Sequence, residues 1–529
     1  QTSSSKMRIS AKILSLGHSA VLLGCVVVDQ TFQHAHAFRL GVSSFGQVRQ
    51  HGKVVMHSAV STKQECEWSP SSWRSKPAAQ LPKYPDLAAL EAAEQDLAQS
   101  APLVFAGEVR TLSAQLERIS KGDGFILMGG DCAESFEEFS VDHIRDTYRV
   151  LLQMALTLTF GGMQSVVKVG RVAGQFAKPR TTDTETINGV ELPSYRGDNV
   201  NGEAFTAEAR IPDPQRMLKA YYQSAQTMNI LRAFSFGGYA SLDRVHEWNL
   251  EFTAKSKATS RFRALSSKVD DAMRFIGACG VDKDTSIFHQ SPHYIAHECL
   301  LLPYEEALTR EDSTTGDWYD CSAHMLWVGE RTRQRENAHM EFIRGIQNPI
   351  GIKISDKCTS EELVGLIKDA NPDNIPGKLT LIVRMGSGKI RKFLPDLVRA
   401  VEAEGLSVVW ISDPVHGNGI VDEATGLKTR PFDNILDELM GFFDVHTELG
   451  THAGGIHLEM TGEDVTECVG GHIDEIFSQA LPSNYRTACD PRLNSDQALE
   501  VAYRVAERLR ERTGLPPLDC DEESEECIF

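Results

Sequence analysis

Residues 410–420 read WISDPVHGNGI, residues 442–450 read FFDVHTELG and residues 451–460 read THAGGIHLEM. Two short apolar runs, Val408–Ile411 and Gly455–Leu458, each stop at a side chain able to bind a metal: His416 just past the first, Glu459 at the end of the second. Runs of this kind are the pattern of parallel strands buried on both faces, whose chemistry sits at their carboxyl ends. The helix-like segment between them makes the two runs successive members of one sheet.

Outward from this stretch the pattern repeats. Further apolar β-type runs lie at Phe125–Met128, Ser165–Val169, Ser286–Phe288, Ala323–Val328, Ile350–Ile354 and Leu379–Val383, while the Val408 run begins at Ser407. Helix-period segments such as SEELVGLIKDA (360–370) and FLPDLVRAVEAEG (393–405) separate most of them. Eight strands alternating with helices predict an α/β chain folded as a closed (β/α)8 TIM barrel over residues 121–512. The second and third runs are too far apart for one crossover helix. Residues 171–285 therefore form an insertion, helical at PDPQRMLKAYYQSAQTMNILRAF (212–234) and expected to serve packing or a subunit interface. Residues 67–120 read as a Pro-punctuated arm followed by helices, an N-terminal extension.

The 529 residues are 41% hydrophobic and carry a formal charge of −19, which argues against general nucleic-acid binding. Yet cations gather at the strand ends. Arg171 follows the second run, Glu330-Arg331 the fourth, and Arg384 the sixth, while Lys353 is next to last in the fifth. Cations converging on one barrel mouth repel unless anions neutralise them, and the guanidinium fork suits carboxylate and phosphate. These residues imply substrates with several such groups. A second anion site is expected at the turn KPRT (178–181), where Pro179 stiffens the backbone between Lys178 and Arg180-Thr181.

Cys132 after the first run and Asp490 in CDPRLN (489–494) complete a ligand set with His416 and Glu459. A thiolate, an imidazole and two carboxylates suit Mn2+, Fe2+, Co2+ or Zn2+ better than Ca2+ or Mg2+. His452 and His457 lie close by in sequence, and His457 shares the strand face of Glu459, so it is a rival ligand. The eleven cysteines show no CxxC spacing and read as reduced thiols, with Cys520 and Cys527 a redox-pair candidate in the tail.

GGDCAESF (129–136), KVGRVAGQFAKPR (168–180), YDCSAHMLWVGERTRQ (319–334), NPIGIKISDK (348–357), WISDPVHGN (410–418), GGIHLEMTGEDVTECVGG (454–471) and CDPRLN resemble, in order, the type II (plant-like) 3-deoxy-D-arabino-heptulosonate 7-phosphate (DAHP) synthases. The likeness runs over about residues 67–512. It implies condensation of phosphoenolpyruvate with erythrose 4-phosphate, the first step of the shikimate pathway. By the same likeness Cys132, His416, Glu459 and Asp490 are the metal ligands, with manganese the expected ion. Arg171, Glu330, Arg331, Lys353 and Arg384, with Lys178 beside them, form the phosphoenolpyruvate site, and Arg180 and Thr181 anchor the sugar phosphate. Cys132, Lys178, Glu330 and His416 are the expected catalytic groups. Proton delivery and water activation are left open among Lys178, Glu330 and metal-bound water. The family also implies a homo-oligomer, a dimer or tetramer. Two rival readings are a synthase using arabinose 5-phosphate and a catalytically silent homologue acting as a regulatory or partner-binding subunit.

The ends of the chain differ from the rest. Lys6, Arg8 and Lys12 precede an interrupted apolar run, Ile13 to Val28, and Ala35-x-Ala37 precedes Phe38, a signal-peptide shape. The following basic segment lacks acidic residues, as transit peptides do. Residues 1–66 are thus expected to be a removable leader directing a membrane-free mature protein to the plastid stroma, and residues 513–529 an acidic disordered tail.

Overall fold

The computed structural model describes residues 68–255, 260–279, 292–472 and 475–515. The leader and all but the first residues of the acidic tail, with its two cysteines, lie outside them. Eight parallel strands close a barrel: β1 (Phe125–Gly130), β2 (Val166–Arg171), β3 (Tyr294–Glu298), β4 (Met325–Val328), β5 (Ile350–Ile354), β6 (Leu379–Val383), β7 (Val409–Ser412) and β8 (Ala453–Glu459). Each pairs with its sequence neighbours, and β8 closes on β1. This is the (β/α)8 architecture that the eight runs predict. Among the described residues no helix is long and apolar enough to cross a membrane.

Seven of the predicted runs coincide with strands. The third does not. Ser286–Phe288 lies outside the described residues, and the third barrel strand is β3, YIAHE, further along the chain. Its pattern is broken by His297, which is buried because its Nε2 meets Glu305 Oε1 at 2.9 Å. A buried imidazole with a partner satisfies the barrel wall but interrupts the apolar run by which strands are recognised.

Inside the barrel, Ile126, Met128, Val167, Val169, Met325, Ile382, Val409 and Ile411 form one apolar cluster. Leu112, Leu116 and Ile119 of the helix Ala106–Ser120 join it, closing the end where the strands begin. The C-terminal helix Ser495–Arg512 starts with a capping box, Asn494 with Gln497, and lies against the helix Val141–Gly162. Their contact needs glycine: a Cβ on Gly161 would stand 2.5 Å from Ala506 Cβ, and one on Gly162 would stand 2.7 Å from Leu509. Between β2 and β3 come a hairpin (Thr184–Ile187 with Val190–Pro193) and the helices Gln215–Phe236, Leu242–Lys255 and Ser260–Ala278.

Strand register positions the chemistry. Gly130 pairs with both Glu459 and Arg171, so the ends of β8, β1 and β2 stand level. Lys353 sits opposite Ile382 one strand pair away from the β7 terminus. The functional side chains therefore gather at the carboxyl rim, where loops can vary without disturbing the strand ladder.

Candidate active site

A cleft of about 260 Å³ opens at that rim, lined by Cys132, Arg171, Lys178, Arg180, Thr181, Glu330, Arg331, Lys353, Arg384, His416, Glu459 and Asp490. Every site residue read from the sequence is among them. Glu459 is their hub. Fully buried, it receives Arg171 at 2.9 Å, Arg430 at 2.7 Å and His416 Nε2 at 2.9 Å, with Lys178 Nζ at 3.7 Å. Burial pushes its carboxyl up, but His416, Lys178, Arg430 and Arg171 together hold it well below the usual carboxylate range.

The metal-capable atoms converge. Cys132 Sγ, a Glu459 oxygen and an Asp490 oxygen all lie within 4.8 Å of one another, and His416 reaches the group through Glu459. Lys178 Nζ stands among them, 2.7 Å from Cys132 Sγ and 2.9 Å from Asp490 Oδ2. An ammonium drawn into a nest of one thiol and two carboxylates marks a place that demands positive charge. The mixed donor set and this convergence fit a divalent transition ion. His416 is oriented from behind, since its Nδ1 lies 2.7 Å from Asp413 Oδ2. That leaves Nε2 facing the cluster, the arrangement by which carboxylates aim metal-binding imidazoles. The rivals are excluded by position. His457 is buried with its Nε2 against two cations, in contact with Arg171 and 3.3 Å from Lys353 Nζ, and burial, with those charges, holds its pKa well below the usual value. His452 precedes β8 and bonds Gly124 O, at the opposite end of the barrel.

On the other side of the cleft, Arg384 donates to Glu330 at 2.9 Å and to the His416 carbonyl at 2.8 Å, while Ser355 bonds the same Glu330. Glu330 thus aims a cation. Arg331 donates to Thr181 Oγ1 at 2.8 Å, linking the two predicted anion sites. Lys353 pairs with buried Asp413. Burial pulls the Lys353 ammonium down to about 8, against the pull of Asp413. A lysine loses its charge as pH rises through its pKa, so kcat/KM for an anionic substrate that needs Lys353 is expected to decline above about pH 8, approaching tenfold per unit. A flat profile from pH 7.5 to 9.5 would remove Lys353 from binding.

Several residues of the site escape sequence reading. Trp327 floors the cleft, with the Arg171 guanidinium 5.0 Å and Lys353 Nζ 5.8 Å from its ring centroid. Glu298, last residue of β3, also lines the cleft, and it approaches Gly329 so closely that a Cβ there would fall 2.2 Å from Glu298 Oε1 and turn that carboxylate aside. Placing the third strand correctly would have exposed it. Arg430, which bonds Glu459 and the carbonyl of Pro491, ties the β8 carboxylate to the segment bearing Asp490. Glu438 accepts from Met385 N at 2.6 Å and Asn418 Nδ2 at 2.7 Å, joining the loops after β6 and β7. Burial pushes its carboxyl up to about 7. Neither residue sits in a strand-end motif, so no local signal marks it.

Against this geometry, residues 68–506 match the model of the class-II DAHP synthetase family. The chain belongs to that family. Among relatives, the phospho-2-dehydro-3-deoxyheptonate aldolase of Streptomyces coelicolor is 53% identical over 442 residues, covering 84% of this chain and 97% of that protein. The phospho-2-dehydro-3-deoxyheptonate aldolase AroG of Mycolicibacterium smegmatis is 46% identical over 442 residues, covering 83% and 94%. The chain is therefore an enzyme of the class-II DAHP synthetase family, a transferase. The same relatives correct the plastid expectation. Both are bacterial proteins, from cells that contain no plastid, and a leader-like composition alone does not establish that destination.

Proposed function

We propose that the cleft condenses phosphoenolpyruvate with erythrose 4-phosphate to give DAHP and inorganic phosphate. Carbon 3 of the enol attacks the sugar's aldehyde carbon, water adds to carbon 2, and phosphate departs with carbon–oxygen cleavage. The observation that carries this reading is the convergence of Lys178, Arg180, Arg331, Lys353 and Arg384 on one cleft beside the Cys132–Glu459–Asp490 cluster, in a chain whose net charge is −19. Two phosphates and a carboxylate bring about five negative charges, which only a ring of guanidinium and ammonium groups can hold in so small a space.

Arg331, Lys353 and Arg384, with Arg171 and Lys178, take phosphoenolpyruvate, and Arg180 with Thr181 anchors the sugar phosphate. Glu330 keeps Arg384 aimed, and Trp327 backs the cations and excludes water. Holding both substrates in attack geometry supplies much of the acceleration. Cys132, His416, Glu459 and Asp490 would hold the divalent ion, manganese by preference, which when bound supplies Lewis-acid polarisation of the aldehyde. Lys178, already between Cys132 and Asp490, would deliver the proton that the aldehyde oxygen takes up as it becomes a hydroxyl. A silent, partner-binding role has no observation in its favour, since no ligand or cation of the set is missing.

The test is phosphate release from phosphoenolpyruvate with erythrose 4-phosphate set against arabinose 5-phosphate. Release with the former and little with the latter is expected, and the reverse would reassign the sugar. Within that assay, Arg384→Ala should raise KM for phosphoenolpyruvate by about 10- to 100-fold, the loss of one charge-assisted contact or two, and leave KM for the sugar within about threefold. Equal effects on both substrates would contradict its place.

A further inference from the structure

The KPRT turn is held from outside the barrel. The Arg180 backbone N–H donates at 2.8 Å to the side-chain oxygen of Gln80, 100 residues earlier in the N-terminal arm. Arg196 donates through Nη1 to that same oxygen at 3.4 Å and to the Gln80 carbonyl at 3.3 Å. The Arg196 carbonyl in turn accepts the Lys178 N–H at 2.9 Å. One amide from the arm thus touches Arg180 directly and is a single link from Lys178.

Gln80 itself sits at φ 66°, a conformation that side chains with a Cβ seldom adopt unless their surroundings impose it. The surroundings do so from both sides. Upstream, the Trp68 ring lies where Gly345 leaves room, since a Cβ there would fall 2.0 Å from it, and Trp73 Nε1 donates to Glu306 at 2.8 Å. The Pro77 carbonyl accepts the Ala338 N–H at 3.0 Å. Downstream, Leu81 packs on the core and Tyr84 is buried. The arm is pinned to the barrel's outer helices, and its unusual backbone presents one amide oxygen to the turn. The Arg180 guanidinium is fixed separately, by Glu185 at 3.0 Å.

We propose that Gln80 is a positioning residue for the sugar-phosphate half of the cleft. It fixes the backbone of the turn that carries Arg180 and Thr181. Of the phosphoenolpyruvate contacts, Arg331, Lys353 and Arg384 make no hydrogen bond to Gln80, and Lys178 is joined to it only through its backbone and Arg196. The inference rests on the reading of the KPRT turn as the sugar-phosphate anchor.

Steady-state kinetics of Gln80→Ala, Gln80→Asn and Arg180→Ala test it. Asn tolerates a positive φ but is one methylene too short to reach Arg180, so it separates the contact from the backbone conformation. Both Gln80 variants should raise KM for erythrose 4-phosphate by about five- to tenfold, the scale of one lost hydrogen bond, with kcat and KM for phosphoenolpyruvate within about twofold. Arg180→Ala should raise the same KM further. Unchanged KM in both Gln80 variants with a large Arg180→Ala effect would reject the role of Gln80 alone. Equal rises in KM for both substrates would reduce Gln80 to general packing and overturn the proposal. No response from Arg180→Ala would overturn the anchor reading and the proposal with it.

Discussion

Cys132→Ala is expected to lower turnover by about a thousandfold or more while the protein stays folded. On the proposed ligand set, removing the soft donor and leaving one imidazole and two carboxylates would forfeit affinity for the ion and the several kcal/mol of transition-state stabilisation that a Lewis acid supplies. The thiol is 1% exposed, and in the absence of an ion burial holds its pKa well above the usual value, so binding must displace a proton from it. The structural cost is small by comparison, since alanine leaves a cavity of one sulfur atom among polar neighbours. Manganese titration followed by electron paramagnetic resonance, with circular dichroism for the fold, checks both halves. A variant that turns over at the full rate in the presence of a chelator would dismiss the ligand assignment.

The second large effect concerns stability. Glu459→Gln in the chelated protein should cost about 3–5 kcal/mol, because it strips the shared counter-charge from buried cations that cannot be rehydrated. Arg171 and Arg430 are both nearly inaccessible, at 2% and 3% side-chain exposure, and both point at this one carboxylate. The sign with pH follows from its depressed pKa: the contribution is present above the unfolded-state value and is lost as pH falls through the folded one. The gap between wild type and variant should therefore be full at neutral pH and narrow in acid. Urea denaturation at both pH values measures it. A neutral-pH difference below about 1 kcal/mol would show that the cations find other partners.

How much of this could be read from the sequence depended on whether the information was local. The strands β1, β4, β6 and β7 are runs free of charge and histidine, and β5 and the predicted core of β8 each carry only one such residue, Lys353 and His457, so their places follow from composition. β3 carries a buried His297–Glu305 pair, and its partner lies beyond the strand, so the run looked broken and Glu298 went unnoticed. The same holds in the site. Cys132, His416 and Glu459 stand at strand ends, where parallel-barrel geometry makes any reactive side chain conspicuous. Arg430 holds Glu459 from another loop, Glu438 braces the loops after β6 and β7 from the helix Phe432–Glu448, and Gln80 acts across 100 residues. Such roles exist only once the chain has folded. The leader-like composition of the first 66 residues misled in the other direction, because basic and Ser-rich sequence is compatible with many fates.

The most direct measurement is phosphate release from phosphoenolpyruvate and erythrose 4-phosphate by the purified chain, before and after exhaustive chelation and again after manganese is restored. The account predicts release that chelation abolishes and manganese returns. Release at an undiminished rate in the chelated protein would contradict it.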